Sequence, residues 1–211
     1  MPNVVIIGAS GHAKVVAENI LAANKYKILG FVANNIERET CVLGFNVLGD
    51  DNVLESIYRA GTKYAFVAIG ANTLRKKLIE RVENMGFKLI NAVHPWTNIS
   101  PSAQIETGVA IMPGAVINAA AQIGKGTIIN TNASLDHDVI IGDFCHIAPG
   151  CSIAGNVVVG NRTFLGTGVH VIDKISIGAD VIIGAGAAVI RDISYNTIAV
   201  GVPAVEKNFN V

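Results

Sequence analysis

The sequence predicts two domains of different class: a small Rossmann-like α/β domain over residues 1–92, joined by a linker at 93–98 to a parallel β-helix over 99–194, with a tail at 195–211. Three observations predict this. Apolar residues recur with a strict six-residue period through the second half, and strand-like and helix-like segments alternate through the first. Between them stands His94-Pro95-Trp96, where proline disfavours continuing a helix and suits a junction.

In the first domain, residues 4–7 read as a buried strand, followed by the turn Gly8-Ala9-Ser10-Gly11-His12-Ala13 and a helix over 14–23. A strand, a glycine-rich turn and a helix start place backbone N–H groups where a phosphate can sit. Residues 27–33 read as a second strand, 51–59 as a helix, 63–69 as a third strand, 73–85 as a helix and 88–93 as a last extended segment. A nicotinamide-dependent reductase competes for the first turn. Against it, Ser10 and Ala13 stand where G-x-G-x-x-G places glycines. The second strand also leads into Asn34-Asn35 where a carboxylate normally holds the ribose hydroxyls.

In the second domain, stepping by six from Ile99 meets Ile, Leu or Val at sixteen consecutive positions, ending at Val189. Four residues after each comes a second inward series, mostly small, running from Ala103 through Thr127, Cys145, Cys151 and Thr163 to Ile193. One large and one small residue in every six suit a narrow prism whose faces are short strands. Glycine and asparagine between them supply the corners. The phase never slips, so no long loop interrupts the prism.

Composition narrows the function. Sixteen basic residues balance sixteen acidic ones, so there is no global field for nucleic acid or an anionic membrane surface. No stretch of about 18 apolar residues runs uninterrupted, so no membrane insertion is expected. The N-terminus lacks the basic region and cleavage site of a secretory signal, which leaves a cytoplasmic location as the expectation. Cys41, Cys145 and Cys151 are an odd number at spacings that fit neither a disulfide framework nor a zinc knuckle, and read as reduced thiols.

The residues best placed for chemistry are Asp136-His137-Asp138. His137 lies two residues after inward Leu135, at a corner with its ring outside the prism, where Asp138 or Asp136 could orient it as a general base; a bystander histidine at a solvated acidic corner is the alternative. His146, one residue before inward Ile147, points outward from a flat face. Nine residues separate the two histidines, half a coil, so they could meet only across a subunit boundary. Cys145 and Cys151 fall in the inward series, which argues against a covalent thiol route.

Together the two halves resemble the hexapeptide-repeat acyltransferases, and within them the nucleotide-sugar acetyltransferases of bacterial glycan synthesis: UDP-4-amino-sugar N-acetyltransferases and sialic acid O-acetyltransferases. The resemblance is carried by the hexapeptides, by Gly8 to Ala13, by Ala68-Ile69-Gly70-Ala71-Asn72 with Arg75, by Asn130 to Asp138, and by Val200-Gly201-Val202-Pro203-Ala204. It implies that three hexapeptides make one coil of a left-handed β-helix, that the α/β domain binds the acceptor nucleotide sugar, that acetyl-CoA binds the β-helix as co-substrate, and that the protein is a homotrimer. It implies roles for His137 as base, His146 near the acetyl group and Asn130 in the active site. Gly155, Thr167 and Ala185 match positions that cradle the pantetheine arm, and the tail matches the segment capping the last coil.

On the acceptor side the resemblance implies binding by Gly8, Ser10, Gly11, His12, Gly70, Asn72 and Arg75, with Asn34 and Asn35 where relatives carry acidic residues against the base. The expected reaction is N-acetylation of a nucleotide-linked 4-amino-4,6-dideoxy sugar, with UDP as the expected nucleotide. O-acetylation of a sialic acid, or a sugar-nucleotide-binding scaffold without catalysis, are the alternatives. The γ-class carbonic anhydrases use the same β-helix with three zinc-binding histidines, but the spacing of His137, His146 and His170 differs from theirs, so no metal is expected.

Overall fold

The computed structural model describes residues 1–34 and 36–207 and divides into two compact units, Met1–Pro95 and Trp96–Val211.

The first unit is built on β1 (Asn3–Ile7), whose residues Val4 to Ile7 are all buried, as expected of a central strand covered on both faces. The chain continues through α1 (Gly11–Ala23) to β2 (Lys27–Val32), then through a short hairpin, β3 (Cys41–Val42) and β4 (Phe45–Gly49). A 3-10 turn at Asp51–Val53 leads into α2 (Leu54–Arg59), followed by β5 (Tyr64–Val67), α3 (Asn72–Asn84) and β6 (Lys88–Leu89). The sheet order is β3-β4-β2-β1-β5-β6, parallel except for the β3–β4 hairpin. Because the chain runs from β1 outward to β2 on one side and later to β5 on the other, the crevice beyond their carboxyl ends is a topological switch point, where ligands of such sheets bind.

Gly8 closes β1 with φ +108°, and a Cβ there would lie 2.7 Å from the Ala68 carbonyl oxygen, so only glycine fits both the conformation and the approach of the β5 exit. The β3–β4 hairpin is not among the elements the sequence suggests. Its two-residue turn, Leu43-Gly44, takes positive φ at both positions, and leucine in the first place hides the usual Asn-Gly signal.

The second unit is a left-handed parallel β-helix of two-residue strands on three faces. One face stacks Ala110–Ile111, Ile128–Ile129, His146–Ile147, Phe164–Leu165 and Ile182–Ile183; another runs from Asn98–Ile99 to Ala188–Val189; the third from Gln104–Ile105 to Ser176–Ile177. Each strand pairs with the one 18 residues on, as in Ile111 with Ile129, so three hexapeptides complete a coil. The inward column Ile111, Ile129, Ile147, Leu165 and Ile183 is 0% exposed, as is the smaller column Val109, Thr127, Cys145, Thr163 and Val181. The buried threonines are not orphaned: Thr163 donates to the Gly178 carbonyl (2.7 Å) and accepts from the Val181 N–H (3.1 Å), bonding one coil to the next.

The period holds to Val189 and then changes. Ile193 pairs with Ile177, 16 residues back, and Ile198 with Ile182, so the last coil is two residues shorter. Ile193 remains buried as expected but takes the register of the large series; Tyr195, in register by count, is exposed. The segment Ile198–Val200 joins the β-helix as a strand and is covered by Val205–Lys207, antiparallel to it. Residues 208–211 of the expected tail lie outside the described residues. Among the described residues, no helix is long and apolar enough to cross a membrane.

Candidate active site

Leu135 and Val139 are both fully buried, so the three residues between them are forced out at a corner of the prism, and Asp136, His137 and Asp138 are all exposed. The two carboxylates do different work. Asp136 Oδ1 accepts from the His137 backbone N–H (2.8 Å) and from Asn118 Nδ2 (3.2 Å), which secures the turn. Asp138, at φ +59° and held by its N–H on the Ala119 carbonyl, turns its carboxylate back to accept from His137 Nδ1 at 2.8 Å. That bond fixes the tautomer, leaving the lone pair on Nε2. Bonding to Asp138, with the negative charge of Asp136 and Asp138 added, raises the imidazole above its ordinary pKa. A groove of about 270 Å³ runs beside this corner, with Asp136, Ser134, Ser152 and His170 along it.

His146 has its own surroundings. It is half-buried on its strand, packed edge-on against Phe164 of the next coil (ring centroids 5.2 Å, 79°), and its Nε2 lies 3.1 Å from Asn130 Nδ2. Asn130 Oδ1 accepts from the Thr131 N–H (2.8 Å), so the amide nitrogen faces the imidazole and donates to it. In the neutral ring the proton then sits on Nδ1.

Of the three positions matched to the pantetheine arm, Thr167 and Ala185 are exposed and stand one coil apart at the same corner, where the Gly186 N–H bonds the Thr167 carbonyl. Gly155 is buried. A Cβ on it would lie 2.5 Å from Cε1 and 2.6 Å from Nε2 of His137, which places the imidazole directly against its Cα. Cys145 and Cys151 are 0% exposed and point at carbonyl groups inside the prism, and burial raises the Cys151 thiol pKa.

In the α/β unit, a cavity of about 980 Å³ opens at the carboxyl ends of β1, β2 and β5. Gly8, Ser10 and Asn34 line it, and the start of α1 supplies N–H groups. Gly11, His12, Gly70, Asn72 and Arg75 lie outside its wall. Arg75 is 1% exposed and works beneath the β5–α3 turn, donating to the Ile69 (3.0 Å) and Gly70 (2.8 Å) carbonyls and to Asn72 Oδ1 (2.9 Å). His12 is half-buried, and burial, with the nearby Arg75 charge, lowers its pKa to about 4, so it is neutral at pH 7. Asn35 lies outside the described residues.

The wall also holds Asp51, Lys77 and Arg81, none of them among the residues the sequence suggests, with Arg81 Nη1 on Asp51 Oδ2 at 2.7 Å. The signal for Asp51 is its place just past the carboxyl end of a parallel strand, β4, which is not among the elements the sequence suggests. Among the described residues, no group of three or more His, Cys, Asp or Glu side chains is placed to hold a metal ion.

These features have parallels. Residues 3–82 match the PglD N-terminal domain, and residues 120–155 match the bacterial transferase hexapeptide (six repeats). A mutant of perosamine N-acetyltransferase from Caulobacter crescentus, solved in complex with CoA and GDP-perosamine, is 45% identical over 99% of this chain and 98% of its own, with a TM-score of 0.96. The acetyltransferase domain of PglB from Neisseria gonorrhoeae is 35% identical over 98% and 100%, TM-score 0.92; it has also been solved in complex with acetyl coenzyme A. WeeI from Acinetobacter baumannii is 26% identical over 98% and 100%, TM-score 0.86.

Proposed function

The chain belongs to the hexapeptide-repeat acetyltransferases that carry a PglD N-terminal domain, and from that membership we propose how its residues acetylate an amino-sugar nucleotide. It is an acetyl-CoA-dependent N-acetyltransferase whose acceptor is the amine of a nucleotide-linked 4-amino-4,6-dideoxy sugar. The observation that carries the mechanism is the His137 Nδ1–Asp138 bond, which directs the lone pair to Nε2 in the neutral ring and, by raising the imidazole pKa, makes it a stronger base.

As the amine nitrogen attacks the thioester carbonyl, it must lose a proton and the carbonyl oxygen gains charge. His137 Nε2 takes the proton, and Asp138 stabilises the imidazolium that results. As the tetrahedral intermediate collapses, the C–S bond breaks and that proton passes to the departing CoA sulfur, which leaves as the free thiol and returns His137 to its neutral form. His146, held by Asn130 donating to Nε2, is the residue proposed to stand near the acetyl oxygen. The exposed corner at Thr167 and Ala185, without bulky side chains, suits the pantetheine arm.

For the acceptor, the α1 N-terminus with Gly8 and Ser10 suits the diphosphate, and Lys77 adds positive charge to the same wall, while the Arg81 charge is matched by Asp51. The GDP-perosamine bound by the 45%-identical relative supports a guanosine nucleotide ahead of the uridine expected from sequence. The Asp51 carboxylate in the cavity wall, one of whose oxygens already accepts from Arg81, is an acceptor of the kind that the N–H edge of guanine needs. A homotrimer is supported by the hexapeptide family and by outward apolar residues such as Ile140 and Val158 on one face of the β-helix. A cytoplasmic location suits a protein that draws on acetyl-CoA and sugar nucleotides.

The test is release of free CoA thiol from acetyl-CoA across GDP- and UDP-linked 4-amino sugars and free sialic acids. Turnover with a GDP-linked amine is expected; turnover with sialic acid and none with any amine would overturn the assignment.

A further inference from the structure

We propose that Gly155 is a positioning residue for the base: its missing side chain makes the bed on which the His137 imidazole lies, and any Cβ there would lift the ring off Asp138. This rests on His137 being the base.

The corner column runs Ala119, His137, Gly155, Asp173, one residue per coil. The backbone is pinned on both sides of the contact: the Asn156 N–H bonds the His137 carbonyl at 3.0 Å, and the Lys174 N–H bonds the Gly155 carbonyl at 3.0 Å. A Cβ on Gly155 would meet three ring atoms at once, Cε1 at 2.5 Å, Nε2 at 2.6 Å and Nδ1 at 3.1 Å, and no other neighbour is as near. Such contacts are far inside van der Waals distance. Gly155 itself is not at a positive φ, so alanine is allowed by the backbone and the nearest obstacle is the ring. With the coils held by their ladder, the imidazole must swing away. Swinging it breaks the 2.8 Å bond to Asp138 and moves Nε2 from where the amine proton is delivered.

Gly155→Ala is the probe. We expect turnover to fall about a hundredfold, the scale of an ångström-sized misplacement of a reacting group. Acetyl-CoA affinity by calorimetry should stay unchanged. The His137 imidazole titration, followed by NMR, should drop toward an ordinary histidine as Asp138 is lost. The decisive comparison is the double variant: on a His137→Ala background, Gly155→Ala should cost nothing further.

A further loss in that background, or an unmoved imidazole titration with weakened acetyl-CoA binding, would overturn the proposal and leave Gly155 to the donor. Should Gly155→Ala alone fail to fold, a folded double variant supports the clash with the ring, and an unfolded one refutes it. If instead His137→Ala keeps full turnover, the base assignment fails, while the titration of His137 in Gly155→Ala still reports on the contact.

Discussion

Asp138 holds His137 Nδ1 at 2.8 Å from the next position in the chain, at φ +59° and with its carboxylate folded back over its own turn. The sign of the pH effect follows. The bond raises the imidazole pKa, so the base is protonated and idle at low pH, and kcat/KM rises as pH passes through that raised value. Asp138→Asn removes the cause, so the acidic limb should move down toward 6.5 while the plateau falls because the ring loses its orientation. His137→Ala should lower kcat by about 10² to 10⁴ with acetyl-CoA affinity retained. Steady-state profiles from pH 5 to 9 check both; an unmoved limb in Asp138→Asn would mean that another group sets it.

Arg75 makes a second prediction, through a turn and not a ligand contact. Its planar fork bonds two carbonyls and one side-chain oxygen at once, while a lysine ammonium at the same depth can reach only part of that set. Arg75→Lys should therefore loosen the 69–72 turn that borders the cavity at Ile69. Loss of one charged hydrogen bond is worth about 1.5–3 kcal/mol, so KM for the nucleotide sugar should rise about tenfold or more. KM for acetyl-CoA should not move, and kinetics with each substrate varied in turn separate the two.

What was legible in the sequence depended on how local its physical cause was. The β-helix was plain because one inward Ile, Leu or Val recurs at every sixth residue, a demand each coil makes on its own six-residue segments. The exit from that period was not, because Ile193 and Tyr195 differ only in which one the shortened coil buries. The β3–β4 hairpin was missed since Leu43 carries a positive φ without the residue type that announces it. In the site, the Asp136-His137-Asp138 triplet stood out, but which carboxylate serves the ring was settled by the φ of Asp138, invisible in composition. The His137–Gly155 and Asn130–His146 contacts join residues 18 and 16 apart, and emerge only once the coil length is known.

The buried threonines test the interior of the β-helix. Thr163→Val keeps shape and volume yet leaves the Gly178 carbonyl without its hydroxyl donor and the Val181 N–H without its acceptor. An unsatisfied buried polar group costs about 1–3 kcal/mol, so the variant should be destabilised by about 2 kcal/mol or more despite its greater apolarity. Denaturant unfolding of the variant beside the parent measures this. A neutral or stabilising result would mean that the coils do not depend on these cross-coil bonds.

His12 should shape how stability varies with acidity. Its pKa is lowered from 6.5 to about 4, chiefly by burial and then by the Arg75 charge, so the folded chain resists a proton that the unfolded chain accepts. Between those values the unfolded state binds more protons, and stability must rise with pH across that window. A shift of this size corresponds to at most about 3 kcal/mol, fully present above pH 6.5 and lost as pH falls toward 4. His12→Gln has no such proton to refuse, so its unfolding free energy should be flatter over the same range while staying close to the parent's slope above it. Chemical unfolding at pH 4.5, 5.5 and 7.0 compares the two, and parallel curves for parent and variant would show that His12 is not buried as a neutral ring.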